Sequence, residues 1–551
     1  MPTLNWIGKK AVINHDRDVP FHLLQEVPEL SLGSGDTGNM VIQGDNLVAL
    51  KALLPYFSGK IDVIFIDPPY NTGEENWIYN DNVNDPEIKT WINNVVGKEA
   101  EDLSRHDKWL CMMYPRLKLL QRLLARNGII AVAIDDNELY NLGFLMNEIF
   151  GIKNRLACAP WLTEPSGGKE KTGLRTGHEY ILIYTNGSIE SVSQEERSSG
   201  KLELKDKFGK YRKGRELRKW GGTSDHADRP GQWFGIKAPD GTTVFPIKND
   251  GTEGHWRWSP KHEIMKKILL DHEYAHWEKR PYDEGIIVNG QHERWVPYEK
   301  IRDAKKSLGW STWLDSYGFN SDATRELKEL FGNKPFDTPK PSNLIEWIVS
   351  LHTKQDAIVL DSFAGSGTTA QAVINANSGD DGTRKFILIE MLEDVAKGII
   401  VPRLQKITKG YKVQDGKNKG VDIPATGTGF KYFELGCPLF DEYGNVFGEV
   451  KFADLAKHVY FSETGSPLPD GTDLSTPLIG VSNGRAIYLL FNGILKDRNP
   501  KHGNVLTREV LAYLPKYDGP KVVYGTGCRL APMTLRAEQI DFKQIPYELK
   551  R

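Results

Sequence analysis

The chain runs to 551 residues with a formal charge of -2, long enough for two or three domains and too near neutral to coat nucleic acid by charge alone, so such contacts must come from local patches. Its four cysteines, Cys111, Cys158, Cys437 and Cys528, stand far apart with no C-x-x-C pair, which argues against structural zinc or a disulfide framework and suits a reducing cytoplasm. No apolar run approaches the roughly twenty residues of a membrane span and no charged-then-apolar leader opens the chain, so neither a membrane-spanning nor a secreted protein is expected.

Residues 1–38 read as an N-terminal arm ending in a Gly/Ser-rich stretch, with a W-I-G-K string at 6–9 to which no role attaches. Residues 40–43 predict a short strand, and Asp45 and Asn46 precede a helix over 47–54, where an N-cap is their ordinary use. The apolar, β-branched and aromatic run 63–66 predicts a buried parallel strand. Asp67 follows at its carboxyl end, where ligands of open α/β sheets bind. Pro68 and Pro69 stiffen the chain and lack N–H groups, which favours free carbonyls nearby, and Tyr70 adds a flat ring. An acceptor carboxylate, a rigid carbonyl and a stacking face within four residues suit a planar base bearing an exocyclic amino group, although Asp-Pro alone would mean only a turn.

Residues 71–110 are polar with aromatics at Trp77, Tyr79 and Trp91, and a connection this long predicts a flap over a bound base or a dimer contact. A helix over 113–126, a stop at Asn127-Gly128, a strand over 129–134 and a helix over 138–150 come next, with Asp136 and Asn137 expected to cap that helix. A β-rich run at 179–184 begins beside His178, which alone is weak evidence for catalysis.

From 187 to 332 the regularity breaks down. Residues 201–219 carry nine basic and three acidic side chains, including Lys205, Lys210, Arg212, Arg215 and Lys219, interleaved with Phe208 and Tyr211, and Trp220, Trp233, Phe234, Trp256 and Trp258 follow. Such a run can be a solvated face, but basic residues among aromatics, inserted in an α/β chain, point to phosphate contacts and groove reading. A helix over 343–352 leads to a strand over 357–360. Asp361 to Thr369 then hold Gly365 and Gly367 in a tight loop before a helix over 369–377. A strand, a glycine loop and a helix start predict a cradle for the polar end of a cofactor, a carboxylate meeting backbone N–H groups and the Thr368 and Thr369 hydroxyls. Two features speak against a nucleotide phosphate: the loop lacks the third glycine of the dinucleotide fingerprint, and no lysine follows it. A strand over 386–389 ends in Glu390, placed for the ribose hydroxyls of a dinucleotide or an adenosyl cofactor. A helix over 395–407, a Gly/Lys/Asp-rich linker over 409–429 and a small α/β region over 430–551 complete the chain.

The strings D-P-P-Y (67–70) and F-A-G-S-G-T-T (363–369) resemble motifs IV and I of amino-methylating DNA methyltransferases, in the order of the permuted β class. Longer strings, GDNLVALKALLP (44–55), FIDPPYNTG (65–73), AIDDNE (133–138), HEYILIY (178–184) and FDTPKP (336–341), resemble the modification subunits of type III restriction systems, over roughly residues 39–407. The resemblance implies an α/β fold: a Rossmann-like, circularly permuted S-adenosylmethionine-dependent methyltransferase sheet. Its catalytic half would lie at 39–186 and its cofactor half at 333–408, with a target recognition domain inserted at 187–332 and a small C-terminal α/β domain at 430–551. It further implies Asp67, Pro68, Pro69 and Tyr70 as the catalytic set. Asp45, Asp361, Phe363, Gly365, Gly367, Thr368, Thr369, Glu390 and Lys340 would surround S-adenosylmethionine, with Asp45 near its adenine, Phe363 beside its methionyl chain and Lys340 facing its carboxylate or water. His178 would line the base pocket at most. No metal is needed for transfer from a sulfonium. The implied partners are duplex DNA, a second copy of the chain and a separate helicase-nuclease restriction subunit.

Adenine N6 is the expected target, and cytosine N4 uses the same geometry with Ser commonly in the place of Asp67. RNA or protein glutamine methylation would call for Asn at that position and the unpermuted order. A subunit that mainly reads DNA for a nuclease partner is the rival from another class.

Overall fold

A computed structural model describes residues 3–33, 37–72, 98–170, 173–187, 192–198, 200–303, 305–441, 446–491 and 504–545. The chain divides into two compact units, Met1–Ser193 with Ser311–Arg551, and Gln194–Trp310.

The first unit is built on a sheet of nine described strands: β1 (His22–Glu26), β2 (Met40–Gln43), β3 (Ile61–Ile66), β4 (Leu124–Ile134), β5 (Arg155–Leu162), β6 (His178–Thr185), β7 (Ile358–Asp361), β8 (Lys385–Glu390) and β9 (Lys431–Pro438), in the spatial order β1-β9-β2-β8-β7-β3-β4-β6-β5. The six strands from β9 to β4 run parallel, and β1, β6 and β5 pair antiparallel at the two sides. All six residues of β3 are buried, which is why its sequence is a continuous apolar run rather than an alternating one. β3 and β7 are neighbours. From β7 the helix Thr368–Asp380 leads away to β8, and from β3 the chain returns through the helix Lys98–Leu123 to β4 on the other side. The strand order therefore reverses between β7 and β3, and a crevice opens there at their carboxyl ends.

Four expectations shift. The N-terminal arm is part of the fold: Trp6, Val12 and Val19 are buried in the main core, and Lys51 donates to the carbonyls of Asp16 and Arg17 at 2.7 and 3.0 Å. Burial of Trp6, whose Nε1 reaches Cys111 Sγ at 3.3 Å, gives the W-I-G-K string a packing role. β9, placed by sequence in the C-terminal region, instead joins the large sheet, because β2 presents a parallel edge that its register 431–434 completes. The helix expected to stop at Asn127 ends at Leu123, where β4 begins. Asp136 and Asn137 do not cap the next helix. Its N-cap position is Glu138, and Asp135 accepts from the Asn137 N–H at 2.9 Å, closing the turn as soon as β4 ends. Of the flap expected at 71–110, residues 73–97 lie outside the described residues.

Beyond β9, strands Leu478–Ser482, Arg485–Leu489, Lys521–Gly525 and Ile540–Gln544 form a four-stranded sheet, and the helix Phe452–Thr464 buries Leu455 and Val459 in that sheet's core. Between the two regions, residues 409–429 hold a two-residue strand pair, Tyr411–Lys412 with Asp422–Ile423. The second unit has its own four-stranded antiparallel sheet, ordered Leu204–Asp206, Gly209–Glu216, Glu293–Ile301, Ala275–Pro281, and its own core around Leu217, Ile236, Trp256 and Met265. It is narrower than the 187–332 expected from sequence. The helix Asn320–Phe331 belongs to the first unit, where Glu326 accepts from the Ser342 N–H and hydroxyl at 3.2 and 3.0 Å. Among the described residues no helix is long and apolar enough to cross a membrane.

Candidate active site

A cleft of about 550 Å³ at the switch point, within the size range of small-molecule sites, is lined on one side by Asp67, Pro68, Pro69 and Tyr70 and on the other by Asp361, Phe363, Gly365, Thr368, Thr369 and Glu390. Residues nearly three hundred positions apart are thus brought to one cavity by the pairing of β3 with β7.

On the catalytic side, the Pro69 carbonyl accepts from Trp109 Nε1 at 2.7 Å, which pins the turn that the two prolines stiffen. Asn71, at φ 58, hydrogen-bonds Glu138 and closes the same turn. The Tyr70 hydroxyl lies 2.8 Å from Asp67 Oδ1 and 2.8 Å from Glu179 Oε2. Burial, reinforced by the Asp67 and Glu179 charges, holds the Tyr70 phenol well above its ordinary range. Burial likewise raises Glu179, against the pull of Lys340.

The cofactor side is a self-bonded loop. Asp361 accepts from the Phe363 N–H at 3.0 Å and the Thr369 hydroxyl at 2.5 Å, while burial pushes its carboxyl up to about 7. Glu390 accepts from the N–H groups of Gly365 and Leu392 at 2.8 and 3.0 Å. Arg403, buried, donates to the Ser366 carbonyl and hydroxyl and to the Thr368 hydroxyl at 2.9, 3.1 and 3.0 Å. The Thr369 hydroxyl thus spends its proton on Asp361, whereas the Thr368 oxygen accepts from Arg403 and keeps its own O–H for Ser366 or a ligand. Gly365 and Gly367 sit at φ 50 and 78, and a Cβ on Gly365 would come 3.1 Å from the Phe336 ring, so both positions require glycine.

Three expected residues are placed differently. Lys340 lines the cleft with its ammonium on the catalytic acids. Its side chain is 9% exposed, with Nζ 2.6 Å from Asp67 Oδ2 and 3.8 Å from Glu179 Oε2, and burial, which alone would lower its pKa, is outweighed by these acids. Asp45 caps the helix Asn46–Phe57, accepting from the Leu47 and Val48 N–H groups at 2.9 and 3.2 Å, and is not among the residues lining the cleft; its neighbour Asn46 touches the loop instead, donating to the Ser362 carbonyl at 3.0 Å. His178 bonds the Tyr180 hydroxyl at 2.9 Å and also lies off the lining.

Glu179 is the site residue that sequence reasoning missed. Its place follows from a strand pairing that the local string does not record. β6 runs antiparallel to β4, with Tyr180 opposite Ile134, so the start of β6 lies at the carboxyl edge of the parallel strands and an acid there faces the crevice.

In the second unit, Lys205 and Lys210 are exposed and directly opposite across a hairpin, and the two-residue period puts half-buried Arg212 on their face. Arg215 is exposed, 3.9 Å from Glu299, and Lys219 is half-buried. Part of the basic run is neutralised: Lys207 pairs with Asp271 at 2.8 Å and Lys213 with Glu278 at 2.6 Å. Of the aromatics, Trp256 is core, while Trp220 is half exposed beside Arg218, whose guanidinium lies 4.3 Å from the ring centroid.

Residues 61–401, which contain both sides of the cleft, match the family model described as DNA methylase. The chain belongs to the DNA methylase family. Among curated relatives it is similar to the type III restriction-modification enzyme EcoPI Mod subunit of Escherichia phage P1, 32% identical over 442 residues that cover 72% of this chain and 64% of the relative. It is also 32% identical to the type II methyltransferase M.KpnI of Klebsiella pneumoniae, over 66% of this chain and 82% of that one. The EcoP15I Mod subunit of Escherichia coli is 28% identical over 94% of this methylase and 85% of its own length. The chain thus spans just under two thirds of the EcoPI subunit's length.

Proposed function

We propose that this methylase transfers a methyl group from S-adenosylmethionine to the N6 amino group of an adenine flipped out of duplex DNA. The observation that carries this reading is the meeting of Asp67-Pro68-Pro69-Tyr70 with the Asp361–Thr369 loop in one cleft. The donor fits the residues present: Gly365 presents backbone without a side chain to the cleft, Phe363 lines the cleft where a methionyl chain would lie, and the Glu390 carboxylate, bonded to backbone N–H groups, keeps acceptor capacity for a ribose hydroxyl. Bound there, the sulfonium supplies an already activated methyl group.

The chain's own task is to make a poor nucleophile react. The N6 lone pair is conjugated into the adenine ring. Hydrogen bonds from the amino group to the Asp67 carboxylate and the Pro68 carbonyl favour a more tetrahedral nitrogen, and bonds to a charged group are worth ~1.5–3 kcal/mol each. Holding donor and acceptor in line contributes about 7–11 kcal/mol, so alignment outweighs the hydrogen bonds. Flipping the base costs a few kcal/mol, and stacking on Tyr70, at ~1–3 kcal/mol per base, offsets much of it.

In this reading the chain is the modification and recognition subunit of a type III-like restriction system, in the cytoplasm, as a homodimer beside a helicase-nuclease partner. The motif order is that of the permuted β class, with target recognition assigned to the insertion after β6. Expression of the intact protein and of Asp67→Ala in separate hosts, followed by single-molecule sequencing of genomic DNA, tests it. Methyladenine at one short motif, absent with the variant, is the expected result. Methylcytosine transfers the assignment to N4 of cytosine, and loss of neither mark with Asp67→Ala removes the catalytic assignment.

A further inference from the structure

The family strings left Lys340 near the donor and gave Glu179 no role, whereas both side chains close around the carboxylate that is to grip the base. Lys340 Nζ is 2.6 Å from Asp67 Oδ2 and 5.0 Å from the Tyr70 ring centroid. The Tyr70 hydroxyl lies 2.8 Å from a carboxylate oxygen on either side, Asp67 Oδ1 and Glu179 Oε2. A phenol has one proton and can donate to only one of them. The second contact needs a proton of its own, or two acceptors face each other at hydrogen-bond distance in a buried place, which is costly.

The cation sits on Asp67, with Lys340 Nζ at 2.6 Å from its carboxylate and 3.8 Å from that of Glu179, and burial raises Glu179 against the pull of Lys340, so the second proton is assigned to Glu179 while the buried phenol keeps its own. The result is a directed chain. The Glu179 carboxyl donates to the Tyr70 oxygen, the Tyr70 hydroxyl donates to Asp67 Oδ1, and Lys340 donates to Asp67 Oδ2. Each Asp67 oxygen is fixed by one donor and keeps a further lone pair for an amino N–H.

We propose that Lys340 and Glu179 are positioning residues that hold the Asp67 carboxylate aimed at the target amino group, Lys340 directly and Glu179 through the Tyr70 hydroxyl, and that Lys340 is not a contact for the donor's carboxylate. This rests on the methyl-transfer reading above. It separates Lys340 from the cofactor loop, whose polar groups are bonded among themselves and to Arg403.

The test measures donor affinity by calorimetry and single-turnover methyl transfer at saturating donor and DNA, in the full-length chain. For Lys340→Met, donor affinity within about twofold of wild type together with a transfer rate at least about tenfold lower is expected, the signature of an interaction felt in the transition state and not in donor binding. Retained donor affinity also shows that the variant is folded. Lys340→Arg recovers part of the rate, since it restores the cation. Glu179→Ala loses rate, and Glu179→Gln recovers part of that loss, because an amide N–H can donate to the Tyr70 oxygen as the carboxyl does. Donor affinity weakened about tenfold in Lys340→Met, with transfer normal at saturation, makes the lysine a donor contact and overturns the proposal. Glu179→Gln as slow as Glu179→Ala overturns the directed chain. A wild-type chain that methylates no amino group removes the functional reading itself, a result distinct from either.

Discussion

Asp361 shows how much a single buried acid couples this site to its surroundings. Its carboxyl is pushed up to about 7 by burial, against an ordinary 3.8, while the Thr369 hydroxyl and Phe363 N–H pull the other way. The folded chain therefore holds a proton that the unfolded chain has lost between about pH 4 and about pH 7. The stability that the neutral carboxyl contributes is full below about pH 4 and is lost as pH rises through about 7. Urea unfolding of wild type and Asp361→Asn at pH 5 and pH 8 checks this: the wild type loses more stability across the interval than the variant. A variant that falls as steeply as wild type assigns the slope to other groups. Of the expected acids and glycines, Asp67, Asp361, Glu390 and Gly365 line the cleft, Asp45 and Gly367 do not, and Glu179 lines it unexpected; what these residues bond was less legible still. Asp67 and Lys340 are 273 residues apart, and nothing local to either string records the 2.6 Å contact between them.

The elements were legible where one face or both faces are buried. β2, β3, β7 and β8 were expected within two residues of their observed ends, because strands buried on both sides of a parallel sheet must be short apolar runs between turns. The glycine loop was legible because its backbone excludes side chains: Gly367, at φ 78, stands 3.3 Å from Ile400 once a Cβ is added. Gly367→Ala should cost about 1–2 kcal/mol of unfolding free energy, the penalty of a left-handed non-glycine residue. Asp45→Ala should cost about 1 kcal/mol through loss of the N-cap while leaving donor affinity unchanged. A large fall in donor affinity with stability preserved would instead return Asp45 to the cofactor. The N-terminal segment and β9 were misjudged because their partners are distant: β1 pairs with β9, some four hundred residues on, and an isolated strand carries no mark of the edge it will join.

Over the whole molecule, recognition is expected to fall to the Gln194–Trp310 unit, which folds around its own core. Charge reversal across Lys205, Lys210, Arg212 and Arg215 should weaken DNA binding and flatten its salt dependence by about 0.9 in log-log slope for each phosphate no longer neutralised, with donor affinity unchanged. Equal DNA affinity at low and moderate salt would remove these residues from the interface. Lys207 and Lys213 are left out of the set because acids on the same surface already neutralise them.

What the sequence by itself determined was the chemistry available: an acid, two prolines and a ring after one buried strand, and a bare glycine loop after another. Burial and backbone sterics impose those patterns locally, so they can be read locally. The tertiary structure alone decided that β3 and β7 lie side by side at the point where the strand order reverses, and that Lys340, Tyr70 and Glu179 meet on Asp67. Those contacts depend on which strands pair and which loops reach the same edge, and pairing across hundreds of residues is set by the packing of the whole sheet.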